Sequence, residues 1–269
     1  MDWLTWQQGA AIAASSATAS FGVQRLAISS VQDSSVAIKV HSNFVAVTKE
    51  IAFVSGLYTL WRLARVLPLD QSIGAIDRGR TLQKFQREIF LPSELSLQKF
   101  VLEHEWLAQL SNAYYAIAHV PVLLLFLVWL FAFHRSAYPQ WRNGLALLTA
   151  MCLALRFIRV APPRFFPELG YIDLSTRYGM SIYGPVGKGV SDQFAAMPSI
   201  HVGWAAVVSL GVVAASTSKW RWLALFHVLA TIFVVSATGN HWWLDGLVAI
   251  ALLGIALLID EKFIRPRRG

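Results

Sequence analysis

The segment Gly239-Asn240-His241-Trp242-Trp243-Leu244-Asp245 runs directly into GLVAIALLGIALLI (246–259), a stretch without a single charge. A run of this kind predicts a helix in apolar surroundings. His241 and Asp245 are four positions apart, so a helix beginning at the tryptophans puts them on one face. Imidazole and carboxylate groups at membrane depth are costly, which makes such a pair a functional signal rather than decoration of a span.

Working outward, further apolar runs fall near 44–67, 112–134, 141–160, 198–216 and 221–238, each long enough to cross a bilayer with modest tilt. With 242–259 they make about six spans. The expected fold class is therefore all-α, a polytopic membrane helix bundle with amphipathic interfacial helices. Composition agrees. Apolar residues make up 56% of the 269 and charged residues 14%, against about 45–50% and about 25% in an ordinary soluble domain. That excludes collagen, disulfide scaffolds and disordered tails, and argues against a soluble enzyme. The formal charge of +8 reads as basic loops facing anionic lipid, with no nucleic acid partner expected. Cys152 is the only cysteine, so neither an intrachain disulfide nor a thiolate metal site can form.

Two regions differ from the spans. Residues 1–43 open on Met1-Asp2-Trp3 and carry no basic residue before Arg25, which predicts no cleaved leader. Small residues dominate 9–20, and the segment is expected to lie at the interface rather than to cross. The membrane-embedded helical domain then covers 44–269, with an amphipathic segment at 70–111 and a catalytic core at 112–255. In 70–111 charged residues from Asp70 to Glu105 alternate with Ile, Leu and Phe at three-to-four-residue spacing. This predicts two amphipathic helices broken at Leu91-Pro92-Ser93, with Ser93 as N-cap, lying along the membrane surface or covering the bundle.

Lys and Arg flanking the spans set the orientation. Arg135 and Arg142, Lys219 and Arg221, and the tail Lys262, Arg265, Arg267 and Arg268 fall on one side if six spans alternate. That side is expected to be cytoplasmic, with the C-terminus. The loop 161–197 and the turn Gly239-Asn240 then face the external side of the cell membrane. Arg62 and Arg65 oppose this assignment.

Candidate chemistry gathers on that external side. Pro198-Ser199-Ile200-His201 opens a span, where proline suits the first turn and free N–H groups favour an anion. Ala161-Pro162-Pro163-Arg164-Phe165-Phe166-Pro167 holds an arginine suited to forked contact with phosphate. Asp245 can hydrogen-bond one nitrogen of His241 and leave the other as nucleophile or base. Arg156 and Arg159 read equally as snorkelling anchors or further phosphate ligands. Trp204, Trp242 and Trp243 sit beside the cluster as candidate walls of a lipid slot. His41, His104, His134 and His227 read as interfacial side chains. A facial triad of two histidines and an aspartate is the competing metal reading, and no metal is expected.

Pro198-Ser199-Ile200-His201 and the His241 to Asp245 spacing resemble the second and third motifs of the type 2 phosphatidic acid phosphatase superfamily, over roughly residues 75–255. APPRFFPELGYID (161–173), AAMPSIHVGW (195–204) and GNHWWLD (239–245) look most like the branch of inositol phosphorylceramide synthases. Asn112-Ala113-Tyr114-Tyr115, His119 and Pro121 are similar to that branch as well, with their polar face expected inside the bundle. The resemblance implies that His241 attacks phosphorus, Asp245 orients it and His201 protonates the leaving oxygen. It also implies that Arg164, Ser199 and Asn240 hold the phosphoryl oxygens. Tyr115, His119, Phe165, Trp204 and Trp242 would line the pocket for a phosphorylated lipid. No cofactor is implied.

The chain departs from the family pattern at cationic positions. Phe157 stands where the first motif carries lysine, Phe165 where a proline follows the arginine, and Val234-Val235 where the third motif carries Ser-Arg. A less cationic site suits a phosphodiester better than a monoester dianion. The expected function is a lipid phosphatase or phosphotransferase of the membrane, with Arg156, Arg159, Arg177 or Lys188 standing in if the substrate is a monoester. Two alternatives use the same bundle: processing of a prenyl diphosphate beside Phe165, Phe166, Trp204 and Trp242, or a non-catalytic scaffold or transporter.

Overall fold

A computed structural model describes residues 4–30, 35–66, 74–178 and 193–265. Asp70, Lys188, Arg267, Arg268 and the first three residues lie outside that set. The described residues are helical apart from turns, loops and one isolated parallel bridge between Val160 and Ala195, and they form two units, 1–67 and 68–269.

The first unit is a helical hairpin. Helices α1 (Trp6–Ser30) and α2 (Ser35–Val66) pack along each other, and the Tyr58 hydroxyl donates to the Leu4 carbonyl at 2.6 Å. The described residues among the first 43 thus share a unit with the apolar segment that follows, and within α2 the stretch Val40–Ala64 is long and apolar enough to cross a membrane.

The second unit contains α3 (Ala75–Glu88), α4 (Glu94–Glu103), α5 (Glu105–Ile117), α6 (His119–Phe133), α7 (Tyr138–Leu155), the short α8 (Leu174–Tyr178), α9 (Ile200–Ala215), α10 (Leu225–Ala237) and α11 (Trp243–Ile259). Its centre is α9, which packs against α6, α7, α10 and α11. Small residues permit this. A Cβ at Gly211 would lie 2.3 Å from the Phe126 ring, so glycine is what lets α6 approach.

The expected elements are largely present, with instructive shifts. The amphipathic segment breaks at 89–93 and restarts at Ser93, whose hydroxyl accepts the Ser96 N–H at 3.3 Å. It then breaks again at His104, giving three helices where two were expected. The run 112–134 is not one rod: α5 and α6 meet at 52° around Ala118. Pro121 explains the bend, because it lacks an N–H for the Ile117 carbonyl and its ring crowds that position. Helix α7 stops at Leu155, earlier than the expected 160, because the chain turns extended to pair Val160 with Ala195 ahead of Pro162-Pro163. Counting the bent α5–α6 pair as one, three segments among the described residues are long and apolar enough to cross a membrane, the others being Val40–Ala64 and Lys219–Ala237. At 18, 16 and 17 residues, α7, α9 and α11 are shorter.

The amphipathic helices cover one end of the bundle with a polar buried face. Gln86, Glu94 and Gln98 are fully buried. Glu94 Oε1 accepts the Trp243 N–H at 3.3 Å, and Gln86 Oε1 accepts the Leu244 N–H at 3.0 Å. Two of the donors left over at the start of α11 are thereby matched. Gln98 does the same for loops, donating to the carbonyls of Ile172 (2.9 Å) and Ala237 (3.2 Å) and accepting the Ile172 N–H at 2.8 Å. Burial raises the Glu94 carboxyl above its ordinary value, opposed by its own and the Trp243 N–H groups, by Arg87 and by Gln86.

Candidate active site

Three chain segments meet where α9 and α11 begin. The loop after α7 docks on the turn before α11 through the Arg164 N–H, which donates to the Gly239 carbonyl at 2.9 Å. Gly239 adopts φ +71°, a conformation that side chains rarely take, and this lets the turn fold back after α10. The start of α9 joins from the other side: the Ser199 N–H donates to the Asp245 carbonyl at 2.9 Å. The Trp242 indole N–H closes the set by donating to the Ala161 carbonyl at 2.9 Å.

His241 is buried at this junction. Its Nδ1 lies 2.8 Å from the Ala196 carbonyl oxygen and 3.3 Å from Asp245 Oδ2. A carbonyl can only accept, so Nδ1 carries the proton and the neutral ring keeps its lone pair on Nε2. Nε2 has no hydrogen-bond partner among the described residues. Asp245 is anchored by the Trp242 N–H, which donates to Oδ2 at 2.7 Å, while its Oδ1 has no partner among the described residues. The nearer partner of the histidine is thus a backbone carbonyl, a contact that no sequence motif announces.

Arg164 is buried and aimed across the turn. Its Nη1 donates to Asn240 Oδ1 at 2.5 Å, and Asn240 Nδ2 donates in turn to the Thr238 hydroxyl at 2.8 Å. Asp173 Oδ2 is 3.9 Å from Arg164 Nε, a long ion pair. The arginine and the asparagine are thereby fixed before any ligand arrives. Ser199 caps α9, its hydroxyl accepting the Val202 N–H at 3.4 Å.

On the opposite flank rings succeed one another. The His201 ring centroid lies 5.8 Å from that of His241, 4.6 Å from Tyr115 and 4.7 Å from His119. His227 belongs to this inner group rather than to the interface, because the Tyr114 hydroxyl sits 2.7 Å from its Nδ1.

The structure thus brings His241, Asp245, His201, Ser199, Arg164, Asn240, Tyr115 and His119 together. Phe165 flanks Arg164 and stacks on Phe194 at 4.8 Å. Trp242 packs beneath the loop against Phe166 and Tyr171. Trp204 points toward α7, its indole N–H donating to the Thr149 hydroxyl at 3.0 Å. Arg156 and Arg159 are buried where the chain leaves α7, and the Arg159 carbonyl accepts from Arg78 Nε at 2.5 Å. At the positions that depart from the family pattern, Phe157 is exposed and Val234 and Val235 pack against Tyr115 and Val202. Among the described residues, no three His, Cys, Asp or Glu side chains converge in metal-ligand geometry. Sequence reasoning missed the Ala196 carbonyl and the Gln86, Glu94 and Gln98 buttress, whose only trace is polar residues on the inward stripe of an amphipathic pattern.

An all-helical bundle that gathers a His–Asp pair, a second histidine and an arginine at one set of helix ends has the parts for phosphoryl chemistry. The chain belongs to the PAP2 superfamily, whose sequence profile matches residues 80–259. Members of that superfamily are phosphatases or phosphotransferases, and the match points to an enzyme of phosphatase type. No curated protein and no solved structure gives a significant match.

Proposed function

We propose that the protein is a multi-pass membrane enzyme that cleaves a lipid phosphate ester or head-group phosphodiester through a phosphohistidine on His241. The observation that carries this reading is the His241 ring itself, with Nδ1 held by the Ala196 carbonyl and a lone pair left on unpartnered Nε2. Nε2 attacks phosphorus as the bond to the ester oxygen breaks, and His201 supplies the proton to that oxygen. Water or an alcohol, deprotonated by His201, then attacks phosphorus and releases His241. Arg164, locked to Asn240, faces the phosphoryl oxygens, and Asp245 stabilises the charged imidazole.

The six-span arrangement and its orientation are part of the proposal. Arg135 and Arg142, Lys219 and Arg221, and Lys262 and Arg265 all sit at helix ends remote in connectivity from the site: α9 leads away from Ser199, α10 returns to Thr238, and α11 leads away again. A cytoplasmic location for those cations puts the site at the external face.

The test uses the full chain in detergent, with EDTA, against phosphatidic acid, polyprenyl phosphate, prenyl diphosphate, and phosphatidylinositol plus a lipid alcohol. Turnover that survives the chelator, disappears in His241→Ala and leaves an acid-labile phosphoprotein on quenching supports the reading. Silence across the panel, or turnover that persists in His241→Ala, overturns it.

A further inference from the structure

The flank of the site formed by α5 and α6 contains buried polar atoms left without a partner among the described residues. Both polar atoms of the Asn112 side chain, 0% exposed, lack a hydrogen-bond partner among the described residues, and the His119 ring, 5% exposed, meets the Tyr115 backbone carbonyl one turn back, which leaves a ring nitrogen unmatched. Leaving such atoms buried and unmatched disfavours folding, so a role in folding does not account for them. Their position is informative. The buried face of α5 carries Ala108, Ser111, Asn112 and Tyr115, and α6 continues it with His119. Tyr115 and His119 both have their rings against His201, and Asn112 sits one turn before Tyr115.

We infer that Asn112 and His119 form a neutral subsite for a hydroxyl group of the alcohol that enters or leaves beside His201. This rests on the phosphohistidine reading and adds the chemistry of the second partner. The donor and acceptor inventory decides the class of ligand. An amide and a neutral imidazole offer donors and acceptors together, which is what a hydroxyl requires. A phosphate group presents acceptors to the Asn112 oxygen and finds no match for it. In the second half of the reaction the acceptor oxygen bonds to phosphorus while the phosphorus–His241 nitrogen bond breaks, and the acceptor proton passes to His201. A neighbouring hydroxyl on the same acceptor is then held by Asn112 and His119, so the site selects alcohols carrying more than one hydroxyl.

The test measures partition of the phosphorylated intermediate. The full chain in detergent turns over phosphatidic acid or phosphatidylinositol in the presence of glycerol or 1-propanol, which share a three-carbon skeleton and differ in hydroxyl count. Wild type is expected to transfer to glycerol at least about tenfold more readily than to propanol, and Asn112→Leu and His119→Phe to bring that ratio near one. Because Asn112 has no partner to lose, Asn112→Leu is also expected to melt at the same temperature or higher, which separates ligand binding from a folding role. Transfer that depends on His241 but shows no glycerol preference, or a preference kept in both variants, means these groups hold a structural water only and overturns the subsite alone. Absence of any His241-dependent turnover overturns the phosphohistidine reading and the subsite with it.

Discussion

Helix α11 has a fully buried aspartate at each end, and the two are treated in opposite ways. Asp260, in the π-turn that finishes the helix, accepts from Asn143 Nδ2 at 2.7 Å and from Arg265 Nε at 2.8 Å, with Arg265 Nη2 as a further donor. Among the described residues Asp245 has no guanidinium partner. One oxygen takes the Trp242 N–H and faces His241, and the other has no partner among the described residues. A buried carboxylate is tolerated when it is paired, so Asp260 reads as a clasp between α7 and the end of α11. The same helix leaves its other carboxylate undersatisfied, and among the described residues His241 Nε2, the Asn112 amide and a ring nitrogen of His119 share that property. Saturated polar contacts mark the end that holds the bundle, and unsaturated ones mark the end that meets a ligand.

The comparison breaks first, and by most, at His241. His241→Ala is expected to lower kcat/KM by about ten-thousand-fold or more with the fold retained, at a stability cost of about 1–3 kcal/mol from the Ala196 carbonyl left unmatched. Asp245→Asn is expected to cost less, about a hundredfold, because the Ala196 carbonyl continues to hold the productive tautomer. Equal losses in the two variants would show that the carboxylate, not the carbonyl, sets the ring. Arg164→Gln comes between them, about a hundred- to thousand-fold in kcat/KM, from loss of the cation facing the phosphoryl oxygens. If it fell by less than tenfold, another cation would be serving the phosphate.

The two ends were not equally legible in the sequence. The apolar runs, the break at Leu91-Pro92-Ser93 and the Ser93 cap follow from periodicity and proline chemistry, and the helices appear there. The cluster of His241, Asp245, His201 and Arg164 was visible because polar groups stood at the mouths of apolar runs. The bend at Ala118 was missed although Pro121 announced it, because an unbroken hydropathy run hides a missing N–H. The clasp at Asp260 was invisible for another reason. Asn143 and Asp260 lie 117 positions apart and become partners only when α7 and α11 pack. The Ala196 carbonyl belongs to the backbone and has no letter in the sequence.

At the saturated end the expected effects are on stability. Asp260→Ala removes the acceptor for the buried Asn143 amide and for Arg265, whose side chain is about one-third exposed. A loss of roughly 2–3 kcal/mol is expected in denaturant titration, with the charge contribution discounted for solvent. Turnover per folded molecule should stay near wild type. Ser93→Ala is a smaller change, about 1 kcal/mol, from loss of the cap that accepts the Ser96 N–H. A concurrent fall in turnover would mean that α4 transmits strain to the catalytic end.

The smallest effect sharpens the comparison most finely, because it concerns a charge placed between the two behaviours. Glu94 is buried like Asp260 and has an arginine partner, Arg87, yet it also accepts the Trp243 N–H at the catalytic end. Its carboxyl is raised by burial above the ordinary value of 4.5. A raised carboxyl contributes stability that is fully present below the unfolded value and lost as pH rises through the folded one. Wild type should therefore lose thermal stability from pH 4.5 upward relative to Glu94→Gln, whose side chain does not titrate. The readout is the difference in the slope of melting temperature against pH, not the melting temperature itself, since glutamine also forfeits an acceptor for Arg87. Parallel slopes would mean that Arg87 and the Trp243 N–H offset burial fully and that Glu94 behaves like Asp260. A steeper fall in wild type would place Glu94 with Asp245, as a carboxylate held at the site end of α11 at a cost to folding.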